Sequence, residues 1–85
     1  MGSYRLLIKP SAVKEIEAIP RKDRIRTVKK IRDLTENPRP AGCEKLSGEE
    51  KYRVRQGWYR VVYSIDDRAH EVLVVKGAHR KDVYR

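Results

Sequence analysis

Three arginines crowd one short stretch of this chain, Arg53, Arg55 and Arg60, with Trp58 among them and Lys51 just before. Guanidinium forks match phosphate oxygens, and an indole face stacks a base or an arginine plane. Further along, His79, Arg80, Lys81 and Tyr84 form a basic C-terminal segment. Of these, His79 and Tyr84 are groups able to move a proton, and histidine titrates nearest to neutral pH. Both also have plain readings, a solvated histidine and a packing aromatic. The chemistry that such a set supports is phosphodiester cleavage of RNA. There the neighbouring 2′-OH is the nucleophile, so the protein needs only to position the phosphate, stabilise its charge and move protons. Other apparatus is missing. The two histidines, the one cysteine and the scattered carboxylates lack zinc-site spacing, and there is no glycine-rich phosphate loop. No metal and no cofactor is expected. Cys43 reads as a small half-buried loop residue and His70 as a turn residue.

Charge points the same way. With 21 basic and 12 acidic residues in 85, the formal net charge is +9. Such a field attracts nucleic acid, an anionic membrane or an acidic protein. A membrane-surface role needs a basic helix with bulky apolar anchors, and the aromatics lie instead in the strand-like second half. Nucleic acid therefore leads. No apolar run is long enough for a signal peptide or a membrane span, and a lone cysteine offers no disulfide. A reducing cytoplasm is the expected location. The length suits a single domain, residues 1–85.

The elements that must hold these residues follow from periodicity. Tyr4 to Lys9 reads as a buried strand ended by Pro10. Ser11 is placed to cap a helix carrying Ala12, Val13, Ile16 and Ile19. Pro20 separates it from a second helix, Arg21 to Glu36, with an apolar stripe of Ile25, Val28, Ile31 and Leu34. The Asn37–Pro40 segment and Gly42 end that helix. The rest alternates as strands: Tyr52 to Arg55, Trp58 to Ile65, and Glu71 to Lys76, the last apolar on both faces as a covered strand is. A polar tail from His79 is expected as a short turn or helix. The order β-α-α-β-β-β predicts an α+β domain, a helical hairpin on one face of a small, mainly antiparallel sheet.

With Gln56-Gly57 as the hairpin turn, Arg55 would pair with Trp58, Arg53 with Arg60, and Lys51 with Val62. Tyr52, Val54, Tyr59, Val61, Tyr63 and Ile65 share the other, apolar face, which must meet the helices. Arg53, Arg55 and Arg60 are then exposed together on a face with no acidic residue. Like charges across a ladder are unfavourable, and an anion lying over them would offset that. A merely solvated face is the bland alternative, but solubility is usually achieved with mixed signs.

The strings Lys45 to Gly48, Tyr52 to Asp66 and His79 to Tyr84 resemble the RelE/ParE toxin superfamily over nearly the whole chain. For RelE-like members the resemblance implies a toxin of a type II toxin-antitoxin system, which cleaves mRNA in the ribosomal A site. It also implies an acidic antitoxin encoded alongside. Arg53 and Arg55 match the two basic residues of the family's second strand. Arg60 matches the arginine that steadies the scissile phosphate, and Tyr84 matches the C-terminal tyrosine. Some members carry a further catalytic arginine after the fourth strand at a spacing one residue longer, so either His79 or Arg80 stands for it here. The runner-up from the same resemblance is a ParE-like, non-enzymatic poison of DNA gyrase. A third reading is a basic module that binds RNA without cutting it.

Overall fold

The computed structural model describes residues 3–46 and 50–79. Strand β1 (Arg5–Ile8) leads into helices α1 (Pro10–Glu17) and α2 (Arg21–Glu36). Strands β2 (Glu44–Lys45), β3 (Lys51–Gln56), β4 (Tyr59–Asp66) and β5 (Glu71–His79) follow. They form one five-stranded sheet in the order β1-β5-β4-β3-β2. β1 runs parallel to β5, with Arg5 opposite Glu71, and the other neighbours are antiparallel. Both helices lie on one face, α1 against β5 and α2 spanning from β1 to β3. No helix among the described residues is long and apolar enough to cross a membrane.

The expected α+β architecture is present, and the core follows from the two periodicities. Ala12 and Ile16 of α1 and Ile31 and Leu34 of α2 meet Val54, Val61, Tyr63, Val72 and Val74 of the sheet. Burying an aliphatic side chain of this size contributes about 1.5–3 kcal/mol. Thr27 is also in the core, and its hydroxyl is satisfied by donating to the Asp23 carbonyl at 2.8 Å.

Four local expectations need correction. Ser11 is not the cap: Lys9 is extended at the N-cap and Pro10 occupies the first turn, where its fixed φ and missing N–H are no handicap. Ile25 does not join the buried stripe and is 58% exposed, because the stripe drifts off the sheet at the start of α2. The two-residue β2 was not anticipated. The hairpin turn is Gly57-Trp58 and not Gln56-Gly57, since Gly57 has φ +59 and a positive φ at the first central position is cheap only for glycine.

One end of the sheet is clamped by side chains. Arg39, in the loop after α2, donates through Nη1 and Nη2 to the Asp67 carboxylate at 3.3 and 3.0 Å. Tyr4 donates its hydroxyl to the same carboxylate at 2.7 Å, and Arg39 Nε donates to the Tyr52 hydroxyl at 3.3 Å. The Arg39 fork and the Tyr4 hydroxyl hold the Asp67 carboxyl below its ordinary pKa. Beneath the clamp, Tyr63 donates to the Pro38 carbonyl at 2.6 Å, and burial pushes its phenol well above the usual range. His70, at φ +55, stacks on Tyr4 at 4.6 Å.

Candidate nucleic-acid interface

Moving the turn by one residue moves every partner by two. Each side chain therefore keeps its face while its neighbour changes. Arg55 stands opposite Arg60, Arg53 opposite Val62 and Lys51 opposite Ser64. The expected pairing of Arg53 with Arg60 is replaced by a direct Arg55–Arg60 pair. Both arginines, Gly57 and Trp58 line a cleft of about 390 Å³ at the hairpin tip. Trp58 sits in the turn itself, 63% exposed. An arginine pair walled by an indole can clasp a phosphate and stack a base.

The face is less open than its sequence suggests. Arg55 is exposed, but Arg60 is only 7% exposed, and Val62 and Ala78 beside it are buried too. The Arg53 side chain is 17% exposed, and Arg53 Nη2 donates to Glu44 Oε1 at 3.0 Å. Glu44 is the register partner of Arg53 on β2, so the expectation of a face without acids does not hold. Glu44 leaves no mark in the sequence, because a two-residue strand has no periodic signal.

A bulge decides where His79 goes. Val62 pairs with Lys76 and Tyr63 with Val74, which leaves Val75 as an extra residue in β5. The alternation reverses there, as bulges require. Val72 and Val74 face the helices, and beyond the bulge it is Gly77 and His79 that do so. Arg60 faces Ala78 instead. His79 meets the Tyr59 ring edge-on at 5.6 Å and lines a separate cleft with Glu15 and Ile19 of the helical side. The fold thus gathers Arg53, Arg55, Arg60 and Lys51 on one face, with Trp58 at its tip, and sets His79 on the other. Arg80, Lys81 and Tyr84 lie outside the described residues.

On the helical side, Glu15 ties α1 to β5. It accepts from Lys76 Nζ at 2.8 Å and from the Gly77 amide at 3.3 Å. Here, among the described residues, no strand lies beside β5 on that side, because β1 ends opposite Val74. Further along the helical layer, Leu6, Ile8, Val13 and Val28 line an apolar groove of about 260 Å³ whose rim includes Arg32. The exposed Ile25 continues it between Arg24 and Lys29.

Comparison with known proteins gives this arrangement its context. Residues 6–84 match the family model for the ParE toxin of the parDE type II toxin-antitoxin system. Toxin RelE of Mycobacterium tuberculosis is 32% identical over 84 residues, spanning 96% of this chain and 87% of that protein. The archaeal RelE–RelB complex from Pyrococcus horikoshii superposes with a TM-score of 0.82 at 28% identity, covering 92% of this chain and 96% of that one. The intact RelBE toxin–antitoxin complex of E. coli gives 0.78 at 30% identity, covering 91% and 96%. With an arginine-lined hairpin on the same scaffold, the chain belongs to the RelE/ParE superfamily and is a toxin of a toxin-antitoxin system.

Proposed function

We propose that this toxin is a metal-independent endoribonuclease that cuts mRNA in the ribosomal A site and so stops translation. The observation that carries this reading is the Arg55–Arg60 pair in the cleft walled by Trp58. Two cations held directly opposite each other form a strong seat for an anion lying across them. A scissile phosphate supplies that anion, and its negative charge grows as the 2′-oxygen attacks. The new 2′-O–P bond forms, the bond to the 5′-oxygen breaks, and a 2′,3′-cyclic phosphate remains. Arg60 and Arg55 stabilise the phosphate oxygens, Arg53 and Lys51 hold the strand beside it, and Trp58 stacks a base. No metal is required by this route, because the nucleophile belongs to the RNA. Proton transfer falls to the C-terminal segment, with Arg80 and Tyr84 as its carriers and Lys81 as a further backbone contact, while His79, turned to the opposite face by the bulge, takes no part in it. With few groups titrating near neutrality, the ribosome supplies much of the positioning. The cell compartment is then the cytoplasm.

The partner proposed is an acidic antitoxin that folds on binding. The charge of +9 favours it, and the apolar groove beside α2, edged by Arg24, Lys29 and Arg32, offers an amphipathic helix a seat.

The test is translation of a defined mRNA on intact ribosomes with the purified toxin. Cleavage that persists in EDTA under conditions that keep the ribosome whole, with 2′,3′-cyclic or 3′-phosphate ends, is the expected result. Ends bearing 3′-hydroxyls would rule out attack by the 2′-OH. Intact mRNA together with gyrase-dependent DNA breaks would favour the ParE-like reading, which the family-model match supports.

A further inference from the structure

We infer that Glu44 is an internal counter-ion that occupies Arg53 in the free toxin and is displaced when an RNA phosphate binds. The inference rests on the nuclease reading of the arginine face. Its basis is the placement of Glu44. β2 has only two residues, and its pairing with β3 puts Glu44 directly opposite Arg53 on the face that carries Arg55 and Arg60. Glu44 Oε1 accepts from Arg53 Nη2 at 3.0 Å. The two sides of this pair differ. The Arg53 side chain is 17% exposed, whereas that of Glu44 is 59% exposed. The arginine is held by its surroundings, and the carboxylate is the member that can swing out to water. A carboxylate offers the same planar oxygen pair that a phosphate offers, so the two compete for one fork. Arg55, at the cleft, has no such partner among the described ion pairs. The free toxin therefore presents its arginines in two states, one already neutralised and one ready.

The consequence is a signature in salt dependence. A cation that binds phosphate adds about 0.7 to the slope of log affinity against log salt for single-stranded nucleic acid, through released counter-ions. Arg53 in the native protein gives less than this, because Glu44 already serves as its counter-ion. Removing the carboxylate charge raises the contribution of Arg53. The Glu44→Gln variant keeps the shape and loses the charge. Partly exposed pairs of this kind are weak, so a gain of about two- to fivefold in RNA affinity is expected.

The experiment measures binding of a short single-stranded RNA with 2′-O-methyl groups, which cannot be cut, across a salt series. The proteins are wild type, Glu44→Gln and Asp23→Asn, the last making the same change in net charge on α2, with thermal melts to confirm folding. The expected result is tighter binding by Glu44→Gln and a slope steeper by up to about 0.7, with the slope of Asp23→Asn unchanged. Equal slopes for wild type and Glu44→Gln would overturn the inference, as would equal changes in both variants or weaker binding by Glu44→Gln. A wild type that binds RNA with no salt dependence would instead remove the nuclease reading, and the inference with it.

Discussion

Replacing Gly77 with alanine sets two physical effects against each other, and the structure decides which is larger. Gly77 lies in β5 with no positive φ, so its backbone suits any residue. On propensity alone alanine should stabilise a strand here by about 0.5–1 kcal/mol, mainly by reducing the freedom of the unfolded chain. Packing says the opposite. A Cβ at this position would sit 2.8 Å from Ile16 Cγ1 and 3.3 Å from its Cδ1. Real carbons do not approach that closely, and a β-branched side chain in a helix has essentially one rotamer to offer. Either α1 or β5 must move, and the Glu15 contacts to Lys76 and Gly77 resist that movement. Overpacking of this kind costs about 1–3 kcal/mol. The net expectation is a loss of about 1 kcal/mol, seen as a melting temperature lower by about 4–8 °C for a domain of this size. The same substitution in an Ile16→Ala background should change sign, because the obstructing carbons are gone. Paired thermal melts and urea titrations measure both differences. A Gly77→Ala protein that melts higher than wild type, or a loss that survives in the Ile16→Ala background, would refute the claim that close approach of α1 to β5 is why glycine stands there.

Two further outcomes follow from the site and from the clamp. Arg60→Ala should both lose about 1–3 kcal/mol of stability, seen as an earlier melt, from lost packing of its buried stem, and lose about a hundredfold to a thousandfold in single-turnover cleavage. Arg60→Met should restore much of the melt and none of the rate, and Arg60→Lys part of the rate; normal cleavage by Arg60→Met would sink the role given to its charge. The lowered pKa of Asp67 means that the clamp stabilises the fold above the unfolded carboxyl value, near pH 4, and loses that contribution as pH falls towards the folded value. Asp67→Asn should therefore be less stable than wild type at neutral pH, with the gap closing on acidification in denaturation curves; a gap that widens would contradict the clamp.

Much of this molecule is legible in its sequence wherever a period repeats. The boundaries of α2 come from charge and apolar spacing, and the two faces of the β3–β4 hairpin come from strict alternation. That alternation explains why a turn misplaced by one residue still left Arg53, Arg55 and Arg60 on one face. What eluded reading is aperiodic. The extra residue at Val75 carries no compositional mark, yet it alone turns His79 away from the arginines. β2 is too short to alternate, so the Glu44 partner of Arg53 was invisible. The burial of Arg60 depends on what surrounds it in three dimensions, and an arginine in an alternating strand reads as exposed.

The parallel pairing of β1 with β5 has a consequence for the birth of the protein. A ribosome makes β1 early and β5 late, yet Arg5 finds its partner only at Glu71. Nearly the whole chain must be closed into a loop before β1 can dock, which makes the pairing intrinsically slow. β4 meanwhile lies between β3 and β5, so the arginine hairpin, flanked on its other side only by the two-residue β2, keeps one edge bare until β5 has been synthesised and laid against it. Isolated two-stranded ribbons are at best marginal in water. A nascent chain thus carries the arginines of its site long before it carries a rigid one, and the toxin matures only as its last strand joins its first.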